Sequence, residues 1–181
     1  MSYATLPEAI ANSRQLMQAG AHVIKIEGGN ELCELVTTLA QAGTPTCVHL
    51  GLTPQSVNVF GGYKIQGRGD EAADKLLADA KAVVDAGAAL LVLECVPAAL
   101  AKAVTEAVAV PVIGIGAGAD TDGQVLVMHD MLGMVHGRVP RFVHDFLTDE
   151  RNDANSIEGA FALYQQSVRE GSFPTEQHQF D

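Results

Sequence analysis

Residues 70–97, DEAADKLLADAKAVVDAGAALLVLECVP, contain the fold in miniature. A helical pattern runs to Ala86-Gly87, and glycine ends a helix without strain because it takes the left-handed conformation freely. An apolar run follows and is broken by Glu94 just before a proline loop. Working outward, the same unit recurs. LPEAIANSRQLMQAG closes at Gly20 and leads into AHVIKIEGG, and NELCELVTTLAQAG leads into TPTCVHLGL. Downstream, AALAKAVTEAV leads into VPVIGIGAG, and a fifth apolar run, GQVLVMHDML, comes next. Strands alternating with helices predict a parallel sheet with helical crossovers. Near-continuous apolar strands suit a sheet covered on both faces. RFVHDFL and SIEGAFALYQQSVREG read as terminal amphipathic helices, followed by a polar tail, FPTEQHQFD. No linker marks a second domain, so residues 1–181 read as one domain.

Composition narrows the function. With 48% apolar and 18% charged residues the chain is a folded domain rather than a disordered one. A formal net charge of −11 argues against a nucleic-acid partner, because phosphates are held by Lys and Arg. The three cysteines, Cys33, Cys47 and Cys95, have no paired spacing, so neither a disulfide framework nor a zinc site is expected. No apolar run is long enough to span a membrane, and the N-terminus lacks a signal-peptide pattern. A cytoplasmic setting is the simplest expectation.

The polar residues fall at strand ends. Lys25 and Glu27 end the first strand, His49 the second and Glu94 the third. Gly114, Gly116 and Gly118 end the fourth, and His129 and Asp130 lie near the end of the fifth. Ligand sites of parallel α/β folds lie at the carboxyl ends of strands, so these positions predict a site. Lys25 and Glu27, two apart, share a face; the reading is a substrate and metal position or an internal salt bridge. Glu94, set in apolar sequence, reads as a general base or as a carboxylate bonded to backbone amides. His49 lines the site or packs as a structural histidine. His129 and Asp130, adjacent on a strand, would point to opposite faces and form no dyad. The long loop 53–69, with GGYKIQGRG, reads as a lid, a ligand contact or an oligomer contact.

Several strings resemble the ketopantoate hydroxymethyltransferase family: VIKIEGG (23–29), HLGLTPQSVNVFGGYKIQGRGDEA (49–72), LLVLECVP (90–97), VPVIGIGAG (110–118) and TDGQVLVMHDMLG (121–133). The resemblance implies a (β/α)8 TIM barrel of the phosphoenolpyruvate/pyruvate-binding type, usually assembled as a homodecamer. It implies transfer of a one-carbon unit from 5,10-methylenetetrahydrofolate to 3-methyl-2-oxobutanoate, giving 2-dehydropantoate, with a divalent metal, usually Mg2+. By the same resemblance Lys25 binds substrate, Glu27 serves the metal, Glu94 is the general base, and the glycines of GIGAG border the pterin. Five strand runs against a barrel's eight leave an open five-stranded sheet, a barrel completed by another chain or a truncated barrel; the resemblance implies truncation, with the first strands and the family's two metal-binding aspartates missing from this chain. An inactive remnant of that enzyme, or another Mg2+-dependent lyase or mutase of α-keto acids, stands as the alternative.

Overall fold

The computed structural model describes residues 2–135, 137–152 and 155–181. Helix α1 (Leu6–Gln18) leads to strand β1 (Ile24–Glu27), and α2 (Cys33–Gln41) leads to β2 (Thr46–Gly51). A loop containing the one-turn helix α3 (Val57–Phe60) precedes α4 (Asp70–Asp85) and β3 (Leu90–Glu94). Next come α5 (Ala98–Ala107), β4 (Val112–Ile115), the two-residue β5 (Gly123–Gln124), the short α6 (Met128–Met131) and α7 (Ile157–Arg169). Gly20, Gly43 and Gly87, each just past a helix, have φ of 103°, 76° and 109°, the left-handed stop read from sequence.

All pairings are parallel and the strand order is β1-β2-β3-β4-β5. A doubly wound sheet would reverse its order at a switch point. Strictly sequential order with right-handed crossovers keeps the connecting helices on one face, the winding of a (β/α)8 barrel. The fold is α/β of that type, and the described strands are five consecutive staves of its wall.

Register sorts the side chains. Ile26, Val48, Leu91 and Val112 lie side by side and face the helices, buried with Val36, Leu39, Val83 and Val104. Each fully buried Leu or Val contributes roughly 1.5–3 kcal/mol. The alternate residues, Glu27, His49, Val92 and Ile113, form the row on the opposite, inner face.

The structure corrects the sequence reading in three places. The run GQVLVMHDML pairs only through Gly123–Gln124 and then turns into α6, so His129 and Asp130 lie on a helix, not on a strand. Among the described strands β5 has a partner on one side only, and Leu126 instead enters a second apolar cluster. RFVHDFL is not helical. Asp145 Oδ1 accepts the N–H groups of Leu147 and Thr148 and diverts the backbone, while Phe142 and Phe146 are buried individually. The tail is not loose either: Phe173 is buried, and Phe180 forms a parallel bridge with Pro97. These segments and α7 make the second cluster, with Leu52, Cys95 and Ile115 from the strand ends. Among the described residues, no helix is long and apolar enough to cross a membrane.

Candidate active site

The register that buries Ile26 and Val48 outward delivers Lys25, Glu27, His49 and Glu94 to the inner face. Glu27 pairs across with His49, and Glu94 sits one layer further along, opposite Gly51. Lys25 Nζ donates to Glu27 Oε1 at 3.0 Å, and the Gln55 N–H donates to Oε2 at 3.0 Å. Burial would raise the Glu27 carboxyl, but the Gln55 N–H and the Lys25 ammonium outweigh it and hold the pKa below its ordinary value. Glu27 is therefore a carboxylate at neutral pH. Its own N–H donates to the Tyr3 hydroxyl at 3.2 Å, and that hydroxyl reaches the Glu27 carbonyl at 3.4 Å. One phenol thus satisfies both backbone groups at the open edge of β1. The Lys25 side chain is 50% exposed and the Glu27 side chain only 6%. The salt bridge foreseen as one of two readings is present.

His49 is 3% exposed, with Nε2 3.2 Å from Glu94 Oε2. The contact is one of proximity without alignment: among the described residues neither ring nitrogen has a hydrogen-bond partner. A buried imidazole with both nitrogens unbonded is costly in a merely structural role. It faces the Glu94 carboxylate on the inner side of the strands.

The backbone around Glu94 is tightly set. Cys95 has φ of +50°, rare for a non-glycine residue. Its N–H donates to the Ile115 carbonyl, its carbonyl accepts the Gln66 N–H, and the Glu94 carbonyl accepts the Leu52 N–H. A Cβ on Gly51 would collide with the Glu94 carbonyl, so glycine is required there. Burial, with the charge of Glu94 adding, pushes the Cys95 thiol up to about 12. That removes the neighbouring thiol as a nucleophile at neutral pH.

Some of the site was not legible. Asp130, expected with His129 near a strand end and given no role, lies on α6, where burial raises its carboxyl, with His129 opposing and the charge of Glu94 adding. It therefore sits within the field of Glu94. The glycines of GIGAG are closely packed. A Cβ on Gly116 would stand 2.7 Å from the Phe142 ring, and one on Gly118 2.6 Å from Ala98 Cβ. None of these three glycines lines the cavity beside Glu27.

That cavity, of about 380 Å³, lies between the ends of β1 and β2, the loop after β2, and α4. Glu27 borders it, with Gly28, Gly29, Glu31, Gly51, Phe60, Gly67 and Asp79. A more open hollow of about 600 Å³ in the C-terminal segment is lined by His144, Arg151, Phe173 and His178, and by none of the predicted site residues.

A single carboxylate with bonded oxygens makes no metal cage. Among the described residues, no three His, Cys, Asp or Glu side chains converge.

Comparison with known proteins was unambiguous. A family model described as ketopantoate hydroxymethyltransferase matches residues 1–176. A 3-methyl-2-oxobutanoate hydroxymethyltransferase of Psychrobacter cryohalolentis is 90% identical over 180 residues, 99% of this chain and 68% of the relative. Proteins of the same name are 57% identical in Yersinia enterocolitica and in Acinetobacter baylyi, each match covering 99% of this chain and 67% of the relative. The chain thus spans about two-thirds of the length of these relatives.

Proposed function

This chain belongs to the ketopantoate hydroxymethyltransferase family, and on that premise we propose that its strand ends enolise 3-methyl-2-oxobutanoate for hydroxymethyl transfer. The reaction joins the methylene carbon of 5,10-methylenetetrahydrofolate, with oxygen from water, to C3 of the keto acid, giving 2-dehydropantoate and tetrahydrofolate. The observation that carries the reading is the convergence of Lys25, Glu27, His49 and Glu94 on one face through contacts of about 3 Å.

Glu94 removes the C3 proton, and the electron pair of the broken C–H bond becomes the enolate. His49, 3.2 Å from Glu94, lines the site beside the base. Lys25, half exposed on a flexible stem, turns from Glu27 to the carboxylate of the substrate. That frees one Glu27 oxygen for a divalent ion. Mg2+ commonly takes only one or two protein carboxylates besides substrate and water, so Glu27 fits as a ligand, without completing a site. When bound, such an ion supplies Lewis-acid stabilisation of the developing enolate.

Exposed apolar side chains at Val125, Val127, Met128 and Met134 support assembly as a homo-oligomer, the family's decamer by resemblance. The small-molecule substrates and the net charge of −11 support a cytoplasmic enzyme without a nucleic-acid partner.

The test is exchange of the C3 proton of 3-methyl-2-oxobutanoate in deuterated water. Exchange is expected to need Mg2+ and to fall roughly 100- to 10,000-fold in Glu94→Gln, the usual range for losing a general base. A folded protein that exchanges no proton, or exchanges equally well as Glu94→Gln, would mean that Glu94 is not the base.

A further inference from the structure

We propose that the tail segment 179–181 is a strap that aims Glu94, with Phe180 as its positioning residue. The inference rests on Glu94 as the base of the enolising site above and names what holds that base in place.

The need for a fastener comes from the backbone. Cys95, directly after Glu94, has φ of +50°. A non-glycine residue in that region is strained and persists only where its surroundings over-determine it. The wall and the loop after β2 supply part of that hold. The Leu52 N–H donates to the Glu94 carbonyl, the Cys95 N–H to the Ile115 carbonyl, and the Gln66 N–H to the Cys95 carbonyl. Beyond Cys95 the chain enters α5, and there the tail takes over. The Ala98 N–H donates to the Phe180 carbonyl at 2.9 Å, and Phe180 forms a parallel bridge with Pro97.

The Phe180 side chain reaches the neighbouring strand end as well. Its ring meets Phe142 edge to face, with centroids 6.4 Å apart, and a Cβ on Gly116 would stand 3.2 Å from it. Gly116 follows Ile115, whose carbonyl holds the Cys95 N–H. One residue thus braces both strand ends between which the backbone of Glu94 is set. The strap itself is rooted. Phe173 is buried, the Thr175 N–H donates to His178 Nδ1 at 3.2 Å, and Arg141 Nε donates to the Gln177 carbonyl at 2.9 Å. Lys25 and Glu27 stand on β1, two strands away from β3. Loosening the strap should therefore disturb proton removal and spare capture of the keto acid.

Two variants of the full chain loosen it differently. Phe180→Ala removes the ring. Ala98→Pro removes the N–H that meets the Phe180 carbonyl, at the first position of α5, where proline is tolerated. In both, C3 proton exchange at saturating 3-methyl-2-oxobutanoate should fall roughly 10- to 100-fold, the scale of a small misplacement of a reacting group. KM for the keto acid should stay within about twofold, because the lost interaction acts on the transition state. Phe180→Leu, which keeps apolar bulk against Phe142, should recover most of the rate. Labelling with N-ethylmaleimide, mapped to each cysteine by mass spectrometry, reports on the loop independently of activity. Cys95 and Cys47 are both buried. The two loosened variants should label at Cys95 while Cys47, in the wall, stays protected. Exchange and labelling unchanged in both variants would overturn the proposal, as would a rise in KM alone. Cys95 and Cys47 opening together would overturn it too, making the tail a fastener of the whole fold. An inactive parent chain would sink the enolising reading, while the label at Cys95 would still decide whether the strap holds the loop.

Discussion

The wall of β1–β4 and the segment from β5 to the C-terminus are built on opposite principles. In the wall, most backbone groups bond to backbone across the parallel ladders, and side chains such as Tyr3 and Asp122 serve only single backbone groups at the strand ends and edge. In the C-terminal segment, side chains do the bonding: Asp145 turns one chain reversal, and Asn152 Nδ2 donates to the carbonyls of Phe146, Leu147 and Ser156. Aromatic rings pack edge to face around Phe146, with centroids 5.3 Å away at both Tyr164 and Phe173. A repeating backbone pattern tolerates many sequences, whereas a structure tied by individual side chains depends on each of them.

That contrast can be broken by experiment. The largest effect is expected at Phe146, fully buried in the C-terminal cluster. Phe146→Ala should lower stability by about 3–5 kcal/mol in denaturant melts. A loss below that of Leu91→Ala, a buried residue of the wall, would reverse the ranking of the two regions. Next is Asn152, 4% exposed, where Asn152→Ala leaves three carbonyls short of a donor and should cost about 2 kcal/mol. A neutral result would show that the reversal is held by packing alone. Smaller still, Ser156→Ala removes the cap that accepts the Gly159 N–H at 3.0 Å and should cost about 1 kcal/mol.

The gentlest probe is pH. Asp149 is held well below the usual carboxylate range, first by the Arg151 guanidinium, then against burial by the Arg151 N–H and His144. A depressed carboxyl gives stability that is present above its unfolded pKa and lost as pH falls through the folded value. Melts taken from about pH 5 down to about pH 2 should show that loss, and Asp149→Asn should flatten it. An unchanged slope in the variant would place the acid sensitivity elsewhere, Glu27 being the wall's own depressed carboxyl.

The same contrast explains what could be read in advance. Helix stops at Gly20, Gly43 and Gly87 and the apolar runs between them expose the wall directly, because each signal is local. Lys25, Glu27, His49 and Glu94 were visible because strand ends are visible. Phe142 and Phe146, four apart, mimic a helix face, and nothing in that spacing shows that Asp145 bends the chain between them. The pull of Glu94 on Asp130 depends on where α6 turns, and Gly29 has no room for a side chain because α4 brings Asp79 beside it. Such relations join residues far apart in the chain, and periodicity does not record them.

The Lys25–Glu27 pair has a consequence for what the protein admits. At rest each charge already has its counterion, so an arriving molecule gains nothing from Lys25 unless it carries a negative group of its own. A neutral ketone of the same shape would find the ammonium satisfied and the carboxylate still claimed. An acid can trade places with Glu27. With Lys25 as the proposed substrate contact, acids would be told from ketones by an exchange of partners, before any bond at the reacting carbon begins to change.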